Sequence, residues 1–189
     1  MDQGGMNQVD VMQATPATAL AREFVARSRF YLNDEYRTKI RRAVEALPPE
    51  AIWRRANDQS NSVGNLLAHL AGNVRQWIVS GVGGAPDTRD RQAEFGAREG
   101  AGSKDLLARL DDVLTEADEV IARLTADDLA QRRTIQGRDV TVMAAVYSAV
   151  QHFSTHLGQI IMIAKEVSPG AVRFYDDSGP YARAIWRER

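Results

Sequence analysis

Two side chains able to bind a metal through nitrogen stand four residues apart in Gln151-His152-Phe153-Ser154-Thr155-His156. The flanking stretches, Val142 to Tyr147 and Leu157 to Met162, read as helix. Residues i and i+4 of a helix lie one above the other on one face, so both imidazoles point the same way. The chain has 3 histidines in all, and the third, His69, sits in another helical stretch, Asn65-Leu66-Leu67-Ala68-His69-Leu70. The expectation is that His69, His152 and His156 converge on one divalent metal ion. Three imidazoles leave positions open for water or substrate, as catalytic zinc sites do. Each ring must also donate its other N–H to an acceptor, and Asn65, Asn73, Gln151 and Ser154 are the nearby candidates.

The plainer reading is that these are ordinary buried histidines. A His-x-x-x-His pair on a helix has low specificity, and such pairs are often core or surface residues. Two features weigh against it. Every histidine falls on an apolar helix and none on a loop. A buried imidazole without a partner costs on the order of 1–3 kcal/mol, so three on core-facing lines need a reason.

Composition narrows the chemistry. There is no cysteine, which removes disulfides, thiolate metal sites, iron–sulfur clusters and a cysteine nucleophile. Any metal rests on nitrogen and oxygen, and three imidazoles accept zinc, nickel, copper or iron. The formal net charge of −1 argues against a nucleic-acid surface built on gross charge. The first residues lack a basic region followed by an apolar core, so no signal peptide is expected. The longest apolar stretch, Val140 to Val167, is interrupted by Gln151, His152, Ser154, His156 and Gln159, which makes it a poor membrane span. A soluble, cytoplasmic protein with no membrane contact is expected. The length of 189 residues suits one domain.

The positioning elements follow from periodicity. Residues 1–15 read as a flexible arm and 16–189 as one domain. A first helix runs from Pro16 to about Ala46, with Leu20, Phe24, Tyr31, Leu32, Tyr36, Ile40, Val44 and Leu47 at helical spacing and a kink or break suggested at Asn33-Asp34. Leu47-Pro48-Pro49 stops it. Asn61-Ser62 caps a second helix that runs to about Ser80. A long connection rich in glycine and charge reaches Gly102. Ser103 is expected to cap a third helix, carrying Leu106, Leu107, Leu110, Val113, Leu114, Ala117 and Ile121. Thr134 to Val140 suggests a small hairpin, and Thr141 caps a fourth helix ending at Ser168-Pro169-Gly170. The tail, with Phe174, Tyr175, Tyr181, Ile185 and Trp186, is expected to pack on the rest of the chain or on a partner. Four long amphipathic stretches without a strand set imply an all-α four-helix bundle. Trp53, Trp77 and Trp186 read as packing anchors.

A crude depth test agrees with convergence. His69 lies about seven residues into its helix, and the His152–His156 midpoint about eleven residues from the end of its own. At about 1.5 Å per residue these are ~10 Å and ~16 Å, level to about one turn if the two helices run antiparallel.

These features resemble the DinB-like superfamily: one histidine on helix two, His-x-x-x-His on helix four, four helices. The words Asn61-Ser62-Val63-Gly64-Asn65-Leu66-Leu67-Ala68-His69-Leu70-Ala71-Gly72-Asn73-Val74-Arg75-Gln76-Trp77-Ile78 and Arg133-Thr134-Ile135-Gln136-Gly137 are similar to one bacterial branch of it. The resemblance runs from about Ala17 to Ile163. It implies an up-down-down-up bundle with a long link between helices two and three. It implies a divalent metal, zinc or nickel, held by His69, His152 and His156, and it implies a homodimer. Relatives include thiol transferases and a thiol-dependent isomerase, so a small-molecule thiol and an electrophile are the implied partners. Arg75 and Arg138 are candidates for binding carboxylates of such a thiol, although solvated arginine is the commoner case. Glu94 is a candidate base or rim residue. A hydrolase is less favoured, because no carboxylate stands one turn from either histidine of helix four. The rival readings are a non-catalytic, metal-binding dimeric stress-response or interaction module, and a bundle with no metal.

Overall fold

The structure is a computed structural model and describes residues 15–187. The expected N-terminal arm lies outside the described residues except for Thr15, which begins the first helix. The described chain is mostly helical, and no helix in it is long and apolar enough to cross a membrane.

Four long helical segments carry the core. The first is α1 (Pro16–Arg29), a π-helical turn (Phe30–Tyr36) and α2 (Arg37–Glu45). Thr15 accepts from the Thr18 N–H at 3.2 Å, and Pro16 occupies the first helical position, where its missing N–H costs nothing. The break suggested at Asn33-Asp34 is this π turn: the helix widens there and continues. The Asn33 amide donates to the Arg29 carbonyl and to Asp118, a side-chain competition with backbone typical of asparagine inside a helix.

The second segment is α3 (Val63–Val74), continuing into a π-helical stretch (Arg75–Val82). Its start is a reciprocal cap. The Asn65 backbone N–H donates to the Ser62 hydroxyl at 3.1 Å, and the Ser62 backbone N–H donates to the Asn65 side-chain Oδ1 at 3.1 Å. The connection that follows contains a short helix, α4 (Arg91–Gly96), capped by Asp90, which accepts from the Ala93 N–H at 2.9 Å. The third segment is α5 (Ser103–Ala122). Its cap is Gly102, not Ser103. Gly102 holds the extended backbone of a capping residue (φ −70°, ψ 169°), and Ser103 is already helical. After α6 (Ala126–Ala130), strands β1 (Arg132–Ile135) and β2 (Arg138–Thr141) form the small hairpin. Gln136 and Gly137 both take positive φ, as a two-residue hairpin turn requires. Thr141 then accepts from the Ala144 N–H at 3.1 Å and opens α7 (Val142–Val167).

Contacts between segments fix their order. Arg29 pairs with Asp118 at 2.7 Å and Arg37 with Asp111 at 2.6 Å, so numbers rise along the first segment as they fall along α5. His69 meets His152 and His156, while Leu66 shares a cavity wall with Met162 and Ile163. Thus α3 and α7 run in opposite directions. Leu32, Ile40, Leu66, Leu70, Leu110 and Phe153 are fully buried between the segments.

The tail packs on the first segment. Strands β3 (Tyr175–Asp176) and β4 (Arg183–Ala184) pair, and Phe174 and Trp186 are buried. They cover Lys39, only 6% exposed, whose ammonium donates to Glu35 at 2.6 Å and Tyr175 Oη at 2.9 Å and lies 5.4 Å from the Trp186 ring centre. Tyr181 stays 87% exposed.

Trp53 pins the connections together. Its indole N–H donates to the Ala101 carbonyl at 3.1 Å, and its ring lies flat on Gly64. A Cβ at position 64 would stand 2.8 Å from that ring. Gly64→Ala is therefore expected to destabilise the protein by about 1–3 kcal/mol through overpacking. Urea unfolding followed by circular dichroism checks this, and an unchanged midpoint would contradict it.

Candidate metal centre

Helix α3 delivers His69 and helix α7 delivers His152 and His156 to one point. His152 Nε2 lies 3.1 Å from His69 Nε2 and 3.1 Å from His156 Nε2. The three side chains each offer a ligand atom, and these lie within 4.8 Å of one another. His69 is 4% exposed, and the other two are partly buried.

The ring nitrogens facing away decide which atoms point inward. His69 Nδ1 lies 2.9 Å from Glu94 Oε2. Arg89 grips the same carboxylate with Nε at 2.7 Å and Nη2 at 2.8 Å. Burial opposes ionisation of Glu94, but the bonds from Arg89 and His69 outweigh it and hold the carboxyl below its usual range. A carboxylate accepts only, so the Glu94 contact favours the His69 proton on Nδ1, the nitrogen that Arg89 Nη2 also approaches to 3.0 Å. His156 likewise lies 2.7 Å from Gln159 Oε1 through Nδ1. Both rings therefore turn a bare Nε2 lone pair toward His152. Burial, and then the neighbouring histidines, push the His152 imidazole down to about 4, and burial also lowers His156. Burial thus disfavours charge on His152 and His156, and the three rings crowd their Nε2 atoms together. A cation fits this donor set, because it satisfies all three lone pairs at once.

The fold prepares the Glu94 contact at a cost in side chain elsewhere. Gly72, one residue short of a full turn beyond His69, has no Cβ, and one built there would stand 2.0 Å from Glu94 Oε1. Phe95, next in α4, lays its ring 4.5 Å from that of His69. Asn65 reaches across the connection to the Glu94 and Ala97 carbonyls at 2.8 and 3.0 Å.

With this geometry in hand the chain can be placed among known proteins. Residues 19–174 match the family described as "Protein of unknown function (DUF1572)". The chain belongs to that family. The DUF1572 protein is also similar to the crystal structure of a DinB-like protein from Bacillus cereus ATCC 10987, with a TM-score of 0.55 and 17% sequence identity over 71% of this chain and 90% of that one. Its fold is thus the all-α, DinB-like one that the sequence resembles. No curated protein matches the chain.

In this DUF1572 member the three sequence-predicted histidines come together, but the partners of His69 and His156 are not those expected. Asn65 is spent on the helix cap and the connection, Gln151 faces Thr155, and Ser154 bonds Tyr36. Glu94, the candidate base or rim residue, sits on the Nδ1 side of His69, away from the meeting point of the Nε2 atoms. Arg75 pairs with Glu116 at 2.9 Å, and Arg138 lies on the exposed hairpin. Arg89 and Gln159 went unnoticed in the sequence. Gln159 was legible, because a residue three beyond His156 shares its helix face. Arg89 was not, because it comes from an irregular connection.

Gly72→Ala is expected to push Glu94 off His69 and weaken zinc binding about tenfold or more, measured by competition with a chromophoric chelator. A second expectation concerns acid. In metal-free protein His152 resists protonation down to about 4, whereas unfolded it protonates near 6.5. The unfolded chain then binds more protons across that window, so stability falls as pH drops through it. Urea midpoints in chelator should decline from pH 7 to pH 5, and His152→Ala should flatten the decline.

Proposed function

We propose that this protein is a metal-dependent enzyme in which His69, His152 and His156 hold a divalent ion, zinc or nickel, beside which a low-molecular-weight thiol, or water, is activated for attack on an electrophile. The observation that carries the reading is the convergence of three Nε2 atoms whose rings are already oriented by Glu94 and Gln159. When bound, such an ion lowers the pKa of a thiol or water at an open position and makes the nucleophile available at neutral pH. The nucleophile comes from the cosubstrate, which suits a chain without cysteine.

The chain's own residues hold and shape this centre. Arg89 keeps Glu94 ionised, and Glu94 keeps His69 in the tautomer that presents Nε2. Gln159 does the same for His156 and also lines a cavity of about 320 Å³ between the 54–61 connection and α7. Leu66 and Met162 give that cavity apolar walls, and Arg54 and Glu166 give it charge. It is the space we assign to the thiol cosubstrate. Among the described residues Glu94 is the one carboxylate hydrogen-bonded to the cluster, and it faces away from the Nε2 atoms, which favours thiol transfer over hydrolysis.

The same proposal takes the four long segments as an up-down-down-up bundle, supported by the opposed order of contacts between the first segment and α5 and between α3 and α7. It takes the protein as a homodimer. Helix α7 has no Asp, Glu, Lys or Arg before Lys165, and Met143, Tyr147 and Met162 stand exposed on it, a surface suited to a second copy. A non-catalytic, metal-stapled dimer is the second reading. The cluster of three rather than four metal-binding side chains among the described residues speaks for the enzyme, because structural sites are closed.

Elemental analysis of protein purified without a histidine tag is expected to find about one divalent ion per chain, and almost none in His152→Ala. Equal content in the two would remove the metal centre. Metal-loaded protein is then expected to conjugate at least one of cysteine, glutathione or another bacterial thiol to chlorodinitrobenzene, with loss of the reaction on chelation. Metal bound without any such reaction would leave the stapled dimer.

A further inference from the structure

We infer that Asn73 is the acceptor for the His152 Nδ1 proton in the metal-bound protein, and that it thereby positions the third ring of the centre. The inference rests on the metal centre proposed above.

Among the described residues three buried side-chain polar atoms have no hydrogen-bond partner: Arg55 Nε, Asn73 Oδ1 and His152 Nδ1. Two of the three belong to the helix pair that builds the centre. Asn73 lies one turn beyond His69 on α3 and is 7% exposed. A buried carbonyl left unbonded costs about 1–3 kcal/mol, so an orphan of this kind calls for a partner in some state of the protein.

The protons of the cluster say which state. A neutral imidazole carries one N–H. His69 and His156 place theirs on Nδ1, bonded to Glu94 and Gln159. Without metal, the remaining ring satisfies its neighbours by placing its proton on Nε2, between the two lone pairs 3.1 Å away. His152 Nδ1 then carries a lone pair and needs no acceptor, and Asn73 Oδ1 has no donor. When a cation takes all three Nε2 lone pairs, the proton must leave His152 Nε2. The ring remains neutral by taking a proton on Nδ1, so the exchange releases no net proton. Nδ1 is now a buried donor that requires an acceptor. The two orphans of the empty cluster become complementary in the filled one.

Helix geometry brings them to the same level. Side chains lean toward the N-terminus of their own helix. Helices α3 and α7 run in opposite directions, so Asn73 leans back toward the level of His69, and His152 leans away from His156 toward the level of Asn73. The gap between them closes directly or across one buried water, which needs polar partners of this kind. The other acceptors nearby are committed: Glu94 to His69 and Arg89, and Gln159 to His156.

Two variants and two readouts test the assignment. Asn73→Leu keeps the branching at Cγ, in a somewhat larger side chain, and removes the acceptor. Asn73→Asp keeps an acceptor at the same place. Zinc affinity, by chelator competition, is expected to fall about 10–100-fold in the leucine variant and to stay close to wild type in the aspartate variant. The chelated leucine variant should melt no lower than chelated wild type, because an unbonded buried carbonyl has gone. A merely structural asparagine would give the opposite split, with lower stability and unchanged affinity. Long-range proton–nitrogen correlation of the histidine rings should show His152 moving from the Nε2–H to the Nδ1–H tautomer when zinc is added to wild type. Wild-type zinc affinity in the leucine variant, an aspartate variant as weak as the leucine one, or a zinc-loaded His152 still protonated on Nε2 would each overturn the inference. Wild type that takes up no zinc would overturn it too, and the elemental analysis would then show that the centre itself had failed. Should the leucine variant not fold, the aspartate affinity and the wild-type tautomer still decide.

Discussion

The bond from His69 to Glu94 is the contact on which the rest of the centre depends. It fixes a tautomer, and a tautomer fixes a direction. With the proton held on Nδ1, Nε2 has nothing to offer but a lone pair, and that lone pair points across the helix interface at α7. The bond also ties the connection between α3 and α5 to the helices it joins. Arg89 and Glu94 come from that connection, and Arg89 holds both carboxylate oxygens, one of which is shared with the histidine. A stretch with little regular structure is thus held by buried charge, and in return it orients a side chain on a rigid helix.

Such an arrangement is economical in apolar surface and demanding in shape. The carboxylate fits against α3 because position 72 has no side chain, and the connection can lie close because position 64 has none beneath Trp53. Both glycines are inside a helix, where glycine is a poor choice on propensity, by about 1 kcal/mol relative to alanine. Close approach explains their presence. Conversely, α7 gives up charge over most of its length, which leaves the outward side of the histidine cluster neutral.

Much of the architecture could be read from the chain. The caps at Ser62 and Thr141, the small element at 134–140 and the apolar stripes of the first segment and α5 are local signals, and local signals survive in one dimension. The same holds for the three histidines, whose spacing and helix faces suffice to bring them together. What escaped was non-local or irregular. Ser103 looked like a cap because serine caps well, yet the backbone placed Gly102 there. Asn33-Asp34 suggests a kink or break because both residues compete with the backbone, and the helix takes them up there by widening. The partners of the histidines were sought on the same helices, and one came instead from α4, a helix of six residues inside a connection that periodicity could not reveal.

The enclosure of Lys39 by Tyr175 and Trp186 has a consequence for the order of events during synthesis. The lysine emerges from the ribosome well over a hundred residues before the rings that shelter it. Until those rings arrive, its segment presents to water both a charged group and the apolar strip around it. The first helical segment therefore cannot reach its final packing until those rings have been made, and the two distant parts of the polypeptide must become native together.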